Sequence, residues 1–265
     1  FPGISWIENL GGGNFDRLVV YGLSDAQGVF PVDFDSDGDM DVVASTNDGS
    51  YVHWYENDGN EDFTQHLISG NYWYPMDVAA LDYDEDGLMD VVAAYSGNSD
   101  KIVLHHNTGN GFSDWAINSS APGASSVAVK DMDLDGDTDI LSSSSGDNKI
   151  AWYENPNFTQ HVITTSAYGA VHVDAGDFDG DGDIDVTSAS PGDDKICWYQ
   201  NAGNMSFTRI TLTDKLPDPT SVATGDINGD GMDEIFSTCK TTYAVAMYGI
   251  PMAGPPITLS DCDEL

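Results

Sequence analysis

The sequence predicts an all-β protein, a β-propeller of four-stranded antiparallel blades with five complete blades plus a half blade, hence five or six blade positions. Three observations predict it. The acidic stretch Val32–Val43, V-D-F-D-S-D-G-D-M-D-V-V, recurs in five versions. An aromatic marker recurs in the same phase. No window of helical length carries a 3.6-residue apolar period, whereas short β-branched runs bounded by Gly, Asn and Asp are frequent.

The acidic loops start at Asp33, Asp82, Asp131, Asp177 and Asp226, at intervals of 49, 49, 46 and 49 residues. The second marker keeps that step: W-I-E-N at Trp6, W-Y-E-N at Trp54, L-H-H-N at Leu104, W-Y-E-N at Trp152, W-Y-Q-N at Trp198 and M-Y-G-I at Met247. Two independent markers with one period establish a repeat. A unit this short cannot hide its own apolar faces, so successive units must stack.

Within a unit, strand A leads into the acidic loop, as in Ser126–Lys130, and strand B leaves it, as in Met40–Ser45. Strand C carries the marker, as in Ile150–Glu154, and strand D is the T-Q-H-L-I segment at Thr64–Ile68. Asn57-Asp58-Gly59-Asn60 and Asn201-Ala202-Gly203-Asn204 fall between C and D, where a hairpin turn needs residues tolerant of positive φ. Val42, Val43, Val91, Val92, Ile140 and Val186 are assigned to the core. The repeated Trp side chains read as packing layers rather than ligand-stacking platforms.

One domain, 1–265, is expected, with a partial blade at 1–28 and repeat blades at 29–71, 72–120, 121–166, 167–215 and 216–265. The head supplies only strands C and D. At the tail, Ile257-Thr258-Leu259-Ser260 mirrors Ile210-Thr211-Leu212-Thr213 and completes the last blade. Three closures are open: six positions with one partly filled, five blades with the hairpin outside, or a chain that continues beyond Leu265.

The loop spacing carries the chemistry. Asp33, Asp35 and Asp37 alternate with other residues, Gly38 allows a tight reversal, and Asp41 follows four residues after Asp37. Calcium takes six to eight oxygens at about 2.3–2.6 Å, and carboxylates at the first, third, fifth and ninth positions of a tight loop can wrap one. The seventh residue, here Asp39, offers its backbone carbonyl. Magnesium fits less well, because it demands near-ideal octahedral geometry and holds its water. By the same positions the candidate ligands are Asp82, Asp84, Asp86, Leu88 and Asp90 in loop two, and Asp131, Asp133, Asp135, Asp137 and Asp139 in loop three. Loop four offers Asp177, Asp179, Asp181, Asp183 and Asp185; loop five offers Asp226, Asn228, Asp230, Met232 and Glu234. About five Ca2+ ions are expected, one per loop.

The charge fits this reading. The chain has 45 acids against 8 bases, a formal net charge of −37, and the five loops hold 24 of the acids. Ten positive charges from five divalent ions would bring −37 to −27. Nucleic acid and anionic membranes are excluded as partners, because no basic patch is present to meet them. No apolar run of transmembrane length exists. The chain begins at Phe1, as a processed mature form would, so removal of a targeting peptide and an extracellular, secreted or organelle-lumenal location are expected. The last four residues, from Cys262, have a faint likeness to a retrieval tail but lack its Lys or His. Cys197, Cys239 and Cys262 are too few for a disulfide scaffold and match no metal-ligand spacing; Cys239 with Cys262 is the alternative to free thiols.

The loops D-F-D-S-D-G-D-M-D, D-Y-D-E-D-G-L-M-D, D-M-D-L-D-G-D-T-D, D-F-D-G-D-G-D-I-D and D-I-N-G-D-G-M-D-E resemble the calcium loops of FG-GAP/VCBS repeats, as in integrin-like propellers. The resemblance covers nearly the whole chain. It implies calcium between strands A and B of each blade, in an extracellular propeller that serves adhesion, sugar binding or protein docking. Loop five departs at Asn228, a neutral oxygen donor, and at Glu234, whose longer side chain shifts the carboxylate. An EF-hand is disfavoured, because its twelfth-position Glu is replaced by Ala44, Ala93, Ser142, Ser188 and Ser237 and the flanks are β-branched.

The expected function is a calcium-stabilised, non-enzymatic interaction, adhesion or scaffold module whose partner is another protein or a larger assembly. The alternative is a lectin-like module binding glycans on Trp73, Tyr74 and Trp115, which sit off the repeated marker. A polysaccharide lyase or hydrolase ranks third, since no catalytic carboxylate pair can be separated from so many candidate ligands. His66 and His161 share one strand D position and read as a solvated face; His105 and His106 break the blade-two marker and flag a local departure. Ser142–Ser145 reads as a polar loop, and Lys101, Lys149 and Lys195 as residues that blunt exposed strand ends. Asn118, Asn157 and Asn204 begin sequons that permit glycosylation.

Overall fold

The computed structural model describes residues 3–241, 245–249 and 257–258. The chain forms two compact units, Phe1–Ser120 and Ala121–Leu265. In the first, a hairpin of β1 (Ile4–Gly11) and β2 (Asn14–Tyr21) precedes two four-stranded sheets. Blade one is β3 (Ala26–Val32), β4 (Asp41–Thr46), β5 (Tyr51–Asn57) and β6 (Phe63–Ser69). Blade two is β7 (Pro75–Leu81), β8 (Asp90–Tyr95), β9 (Lys101–Asn107) and β10 (Phe112–Asn118).

The second unit holds three blades. Blade three is β11 (Ala124–Lys130), β12 (Asp139–Ser144), β13 (Lys149–Glu154) and β14 (Thr159–Thr164); blade four is β15 (His172–Gly176), β16 (Asp185–Ser190), β17 (Lys195–Asn201) and β18 (Phe207–Thr213). Blade five is β19 (Pro219–Gly225), β20 (Glu234–Cys239), β21 (Val245–Gly249) and β22 (Ile257–Thr258). Each of the five four-stranded sheets is an antiparallel meander in the order A-B-C-D. The chain is thus all-β, five propeller blades and a two-stranded half blade, with no helix among the described residues.

The register repeats from blade to blade. Val42 pairs with Tyr55, Ile140 with Tyr153 and Val186 with Tyr199. Strand B is buried at every position in blades one to four. A strand covered on both faces needs no polar alternation, which is why V-V-A runs are continuous there. Val42, Val43, Val91, Val92, Ile140 and Val186 are all core. In the first unit, Phe34, Val43 and Val52 of blade one pack with Val78, Val91 and Val103 of blade two. In the second, Leu141 and Trp152 pack with Val173, Val186 and Tyr199, and Ile196 and Trp198 pack with Val222 and Ile235. The strand C tryptophans Trp152 and Trp198 are therefore packing layers. The half blade is anchored at one end, where Ile4 and Val20 meet Val42, Ala44 and Tyr55.

Strands A of neighbouring blades approach closely. A Cβ on Gly28 would lie 2.7 Å from Asp77 Cα, so only glycine fits between β3 and β7. In the second unit, Thr224 of β19 donates its backbone N–H to Asp174 Oδ2 of β15 at 2.9 Å.

Two readings need correction. Ser142, Ser143 and Ser144 are not a loop but part of β12, fully buried. Two of the hydroxyls find partners inside the sheet, Ser142 Oγ with Tyr153 OH at 3.4 Å and Ser143 Oγ with Ser125 Oγ at 3.0 Å, while Ser144 Oγ is buried without one, so repeat phase overrides the low strand propensity of serine. The three lysines do begin strand C, but they are partly buried and partnered rather than guarding exposed ends. Lys149 pairs with Asp147 at 2.8 Å, Lys195 with Asp193 at 2.6 Å, and Lys101 lies over the Tyr72 ring.

Candidate metal centres

Each acidic loop is pre-folded by its own carboxylates. The first-position aspartate accepts backbone N–H groups from across the loop: Asp33 takes those of Asp37 and Gly38 at 3.1 and 3.2 Å, and Asp82 those of Asp86 and Gly87. The fifth-position residue then accepts the N–H of the seventh, as Asp37 does from Asp39 and Asp86 from Leu88. The sixth-position Gly38 adopts φ 99°, as its expected reversal requires. The fourth position is left-handed too, at Ser36, Glu85 and Leu134, where loops four and five have Gly180 and Gly229. Those two glycines were the available sequence signal for this second reversal.

The ninth-position carboxylate has a second duty. Asp41, Asp90, Asp139 and Asp185 are buried, and each grips two backbone donors. One oxygen accepts the N–H of the second loop residue: Phe34, Tyr83, Met132 or Phe178 at 3.0, 3.1, 2.9 and 3.4 Å. The other accepts the N–H at the end of strand C: Asn57, Asn107, Asn155 or Asn201 at 2.7, 2.6, 2.8 and 2.7 Å. Each oxygen retains a lone pair beyond these bonds.

Carboxylate oxygens gather in loops one to four. Asp33 with Asp35 and Asp37, Asp82 with Asp84 and Asp86, Asp131 with Asp133 and Asp139, and Asp177 with Asp179 and Asp181 each present three oxygens within 4.8 Å of one another. Crowding has an electrostatic cost. Asp35 and Asp133 are held above the usual carboxylate range, first by burial and then by neighbouring acids, Asp37 and Asp41 for one and Asp135 for the other. Burial pushes Asp139 up to about 6 and Asp185 up to about 7. Asp133 Oδ1 is buried with no hydrogen-bond partner. A hard dication fits this set, since it would neutralise the clustered charge and occupy the orphaned oxygen. The seventh side chains of Asp39 and Asp183 turn away toward the C–D turns at Gly59 and Gly203.

Loop five is built differently. Glu234 accepts the Ile227 N–H at 3.0 Å, but its other oxygen takes the Asn228 amide at 2.5 Å, so the two departures from the loop pattern bind each other.

One position that lies against the loops is invisible in the loop sequences. The third residue of the strand C marker faces the third loop residue: Gln200 Nε2 donates to Asp179 Oδ2 at 2.6 Å, and the Glu56 and Glu154 charges bear on Asp35 and Asp133. In blade two this residue is His106, whose Nδ1 lies 3.1 Å from Asp90 Oδ1. The signal was the variation E, H, E, Q at an otherwise regular marker.

The remaining candidates fall elsewhere. His66 and His161 pair with Glu56 and Glu154 at 2.6 and 2.7 Å and stack on Trp54 and Trp152, a half-exposed strand face as expected. His105 is fully buried, with Nε2 2.7 Å from Tyr95 OH and Nδ1 2.7 Å from Asp114 Oδ1. Cys197 is a buried free thiol and Cys239 is buried; Cys262 and the rest of the final four residues lie outside the described residues. Trp73, Tyr74 and Trp115 are exposed, at 64%, 48% and 42%.

A family model described as an FG-GAP-like repeat matches residues 33–93, 82–142, 131–187 and 177–237, each match running from one acidic loop into strand B of the next blade. No curated protein matches the chain in sequence. Among solved structures, an Agrocybe aegerita lectin described as recognising non-reducing terminal N-acetylglucosamine superposes with a TM-score of 0.62 at 15% identity, covering 97% of this chain and 74% of the lectin chain. A chain of a nidogen/laminin complex gives 0.64 at 12% identity, with 91% and 84% covered. An auxiliary nutrient binding protein from Bacteroides thetaiotaomicron gives 0.60 at 8% identity, with 88% and 56% covered. At these identities the structural likeness concerns the fold.

Proposed function

Because the chain belongs to the FG-GAP-like repeat family, we propose that it is a non-catalytic binding propeller, stabilised by calcium in its A–B loops and acting outside the cytosol to hold another protein or scaffold a larger assembly. The observation that carries the calcium reading is the gathering of three acidic oxygens within 4.8 Å in each of loops one to four. In loop one Asp33, Asp35, Asp37 and Asp41 supply carboxylates and Asp39 its carbonyl, with the equivalent residues in the other loops. Calcium supplies positive charge that lets these carboxylates stay ionised side by side; the chain's own hydrogen bonds hold the loop open for it. Sites of roughly 10⁻⁴–10⁻³ M affinity fill where calcium is plentiful, which favours an extracellular or lumenal setting. Loop five, with Asn228 and Glu234 already bonded to each other, is the weakest of the five.

Thermal melting with calcium and with chelator tests the first part. A midpoint that rises with calcium supports it, and an unchanged midpoint overturns it. Mild cross-linking of the native assembly tests the second, by recovering a protein partner.

A glycan-binding role is the second reading, favoured by the exposed pair Trp73 and Tyr74 and by the fold shared with a lectin. A glycan array that stays blank in calcium removes it.

A further inference from the structure

Blade two breaks the strand C marker at the position that faces its acidic loop. Where blades one, three and four have Glu56, Glu154 and Gln200, it has His106. A His106 ring nitrogen, an Asp84 oxygen and an Asp90 oxygen all lie within 4.8 Å of one another. The three come from separate segments, the loop, the start of β8 and the end of β9, so the sheet rather than one flexible turn sets their spacing. The His106 ring is also held in place, edge-on to Tyr83 with centroids 5.4 Å apart and tilted against Trp115 at 5.1 Å. Asp90 is buried and oriented by the backbone N–H groups of Tyr83 and Asn107.

We propose that blade two selects a transition-metal cation of the zinc class instead of calcium, with His106, Asp84 and Asp90 as its protein ligands. Calcium is an oxygen-seeking ion, whereas an imidazole nitrogen joined to carboxylates suits zinc, cobalt or nickel. Zinc takes nitrogen and carboxylate oxygen at about 2.0–2.2 Å in a four-coordinate shell, and three protein donors with water as the fourth satisfy it. Tyr83 and Trp115 fix the imidazole, and the backbone donors fix Asp90, which are the supports that hold first ligands in position. The inference rests on the acidic loops being cation sites; what it adds is that one of the five discriminates against calcium, through a residue outside the loop.

The test uses the full chain in saturating calcium, titrated with Zn2+ by calorimetry and with Co2+ by visible absorption, while 15N-histidine spectra report on each ring. Expected is one equivalent of Zn2+ bound despite the calcium, a shift of the His106 ring nitrogens, and d–d absorption with Co2+. His106→Glu, the residue of blades one and three, weakens Zn2+ roughly tenfold or more and admits an additional calcium. His106→Gln, the residue type of blade four, weakens Zn2+ as well, which guards against a folding defect peculiar to one variant. A His66→Ala/His161→Ala double variant retains the site. Zinc binding that survives both His106 substitutions, or calcium that displaces zinc at equal concentration, overturns the proposal. Separate titrations of the calcium-stripped chain with Ca2+ and with Zn2+ separate the two readings: no calcium uptake anywhere defeats the general loop reading, while the His106-dependent zinc signal stands or falls by itself.

Discussion

Asp185 Oδ1 accepts the backbone N–H of Asn201 at 2.7 Å, tying the start of strand B to the end of strand C in blade four. The same carboxylate also holds the N–H of Phe178 in the loop. The ninth acidic residue is therefore a brace of the blade whether or not a cation is bound. Asp185→Ala leaves two buried donors without an acceptor, and each such loss costs about 1–3 kcal/mol. The expected loss, about 2–6 kcal/mol by urea unfolding, appears with and without calcium. Asp181→Asn, at the exposed fifth position, changes metal-free stability by less than about 0.5 kcal/mol while reducing the rise on adding calcium. Equal effects of the two substitutions in chelator would refute this division of labour.

The buried carboxylates set a pH dependence of the metal-free protein. Burial raises Asp139 to about 6 and Asp185 to about 7, so the folded state holds protons there that the unfolded chain, with ordinary aspartates near pH 4, releases. Their contribution to stability is full below about pH 4 and lost as pH rises through 6 to 7. Acidifying the metal-free protein from pH 7.5 to 5.5 should raise its melting midpoint. With calcium bound the trend should flatten or invert, because protons then compete with the ion. Midpoints against pH in chelator and in calcium measure both, and a metal-free midpoint that falls over this window contradicts the assignment.

Asp114 works in the opposite sense. The hydrogen bond from His105 holds its carboxyl below the usual range, so its stabilisation is present above about pH 4 and lost as pH falls through its folded-state value. Asp114→Asn should remove that acid-limb loss from the stability profile of the metal-free protein, read by unfolding between pH 5 and 2.5.

Blade two rewires a contact that blades one and three make with tyrosine and glutamine. Tyr55 and Tyr153 pair with Gln65 and Gln160 at 3.2 and 3.1 Å, whereas blade two joins Tyr95, His105 and Asp114. Tyr95→Ser, His105→Tyr and Asp114→Gln should each cost about 1–3 kcal/mol alone. The triple variant rebuilds the blade-three arrangement of Ser144, Tyr153 and Gln160 and should cost less than the sum, a coupling visible in a mutant cycle. Strict additivity would show that the three do not act as a unit.

Gly28 tests blade-to-blade approach in the first unit. Gly28→Ala places a methyl 2.7 Å from Asp77 Cα and 2.9 Å from Val78 N, which forces β3 and β7 apart at a cost of about 1–3 kcal/mol. Gly225→Ala meets nothing within 4 Å and should be nearly neutral in the same urea titration.

Much of the architecture was legible along the chain because a propeller blade is a local object. The 49-residue step, the acidic loops, the β-branched run of strand B and the C–D turns with Gly59 and Gly203 at positive φ all follow from neighbours in sequence. Ser142–Ser144 shows where propensity misleads, since three serines look like a loop until their register places them in a strand covered on both faces. The fourth-position reversal at Leu134 was equally hidden, because its side chain gives no hint of a left-handed backbone.

The sequence by itself determined the repeat, its four-stranded unit and the acidic loops, because each depends on spacing within one unit. Only the tertiary structure decided what the loop residues touch. Asp185 meets Asn201 across 16 positions and Asp179 meets Gln200 across 21, distances closed by sheet register and not by spacing within the loop. The same register carries His106 to Asp90, and His105 to Tyr95 and Asp114. Side chains that read as two irregular histidines thereby acquire separate surroundings, because adjacent residues of a strand face opposite sides of the sheet.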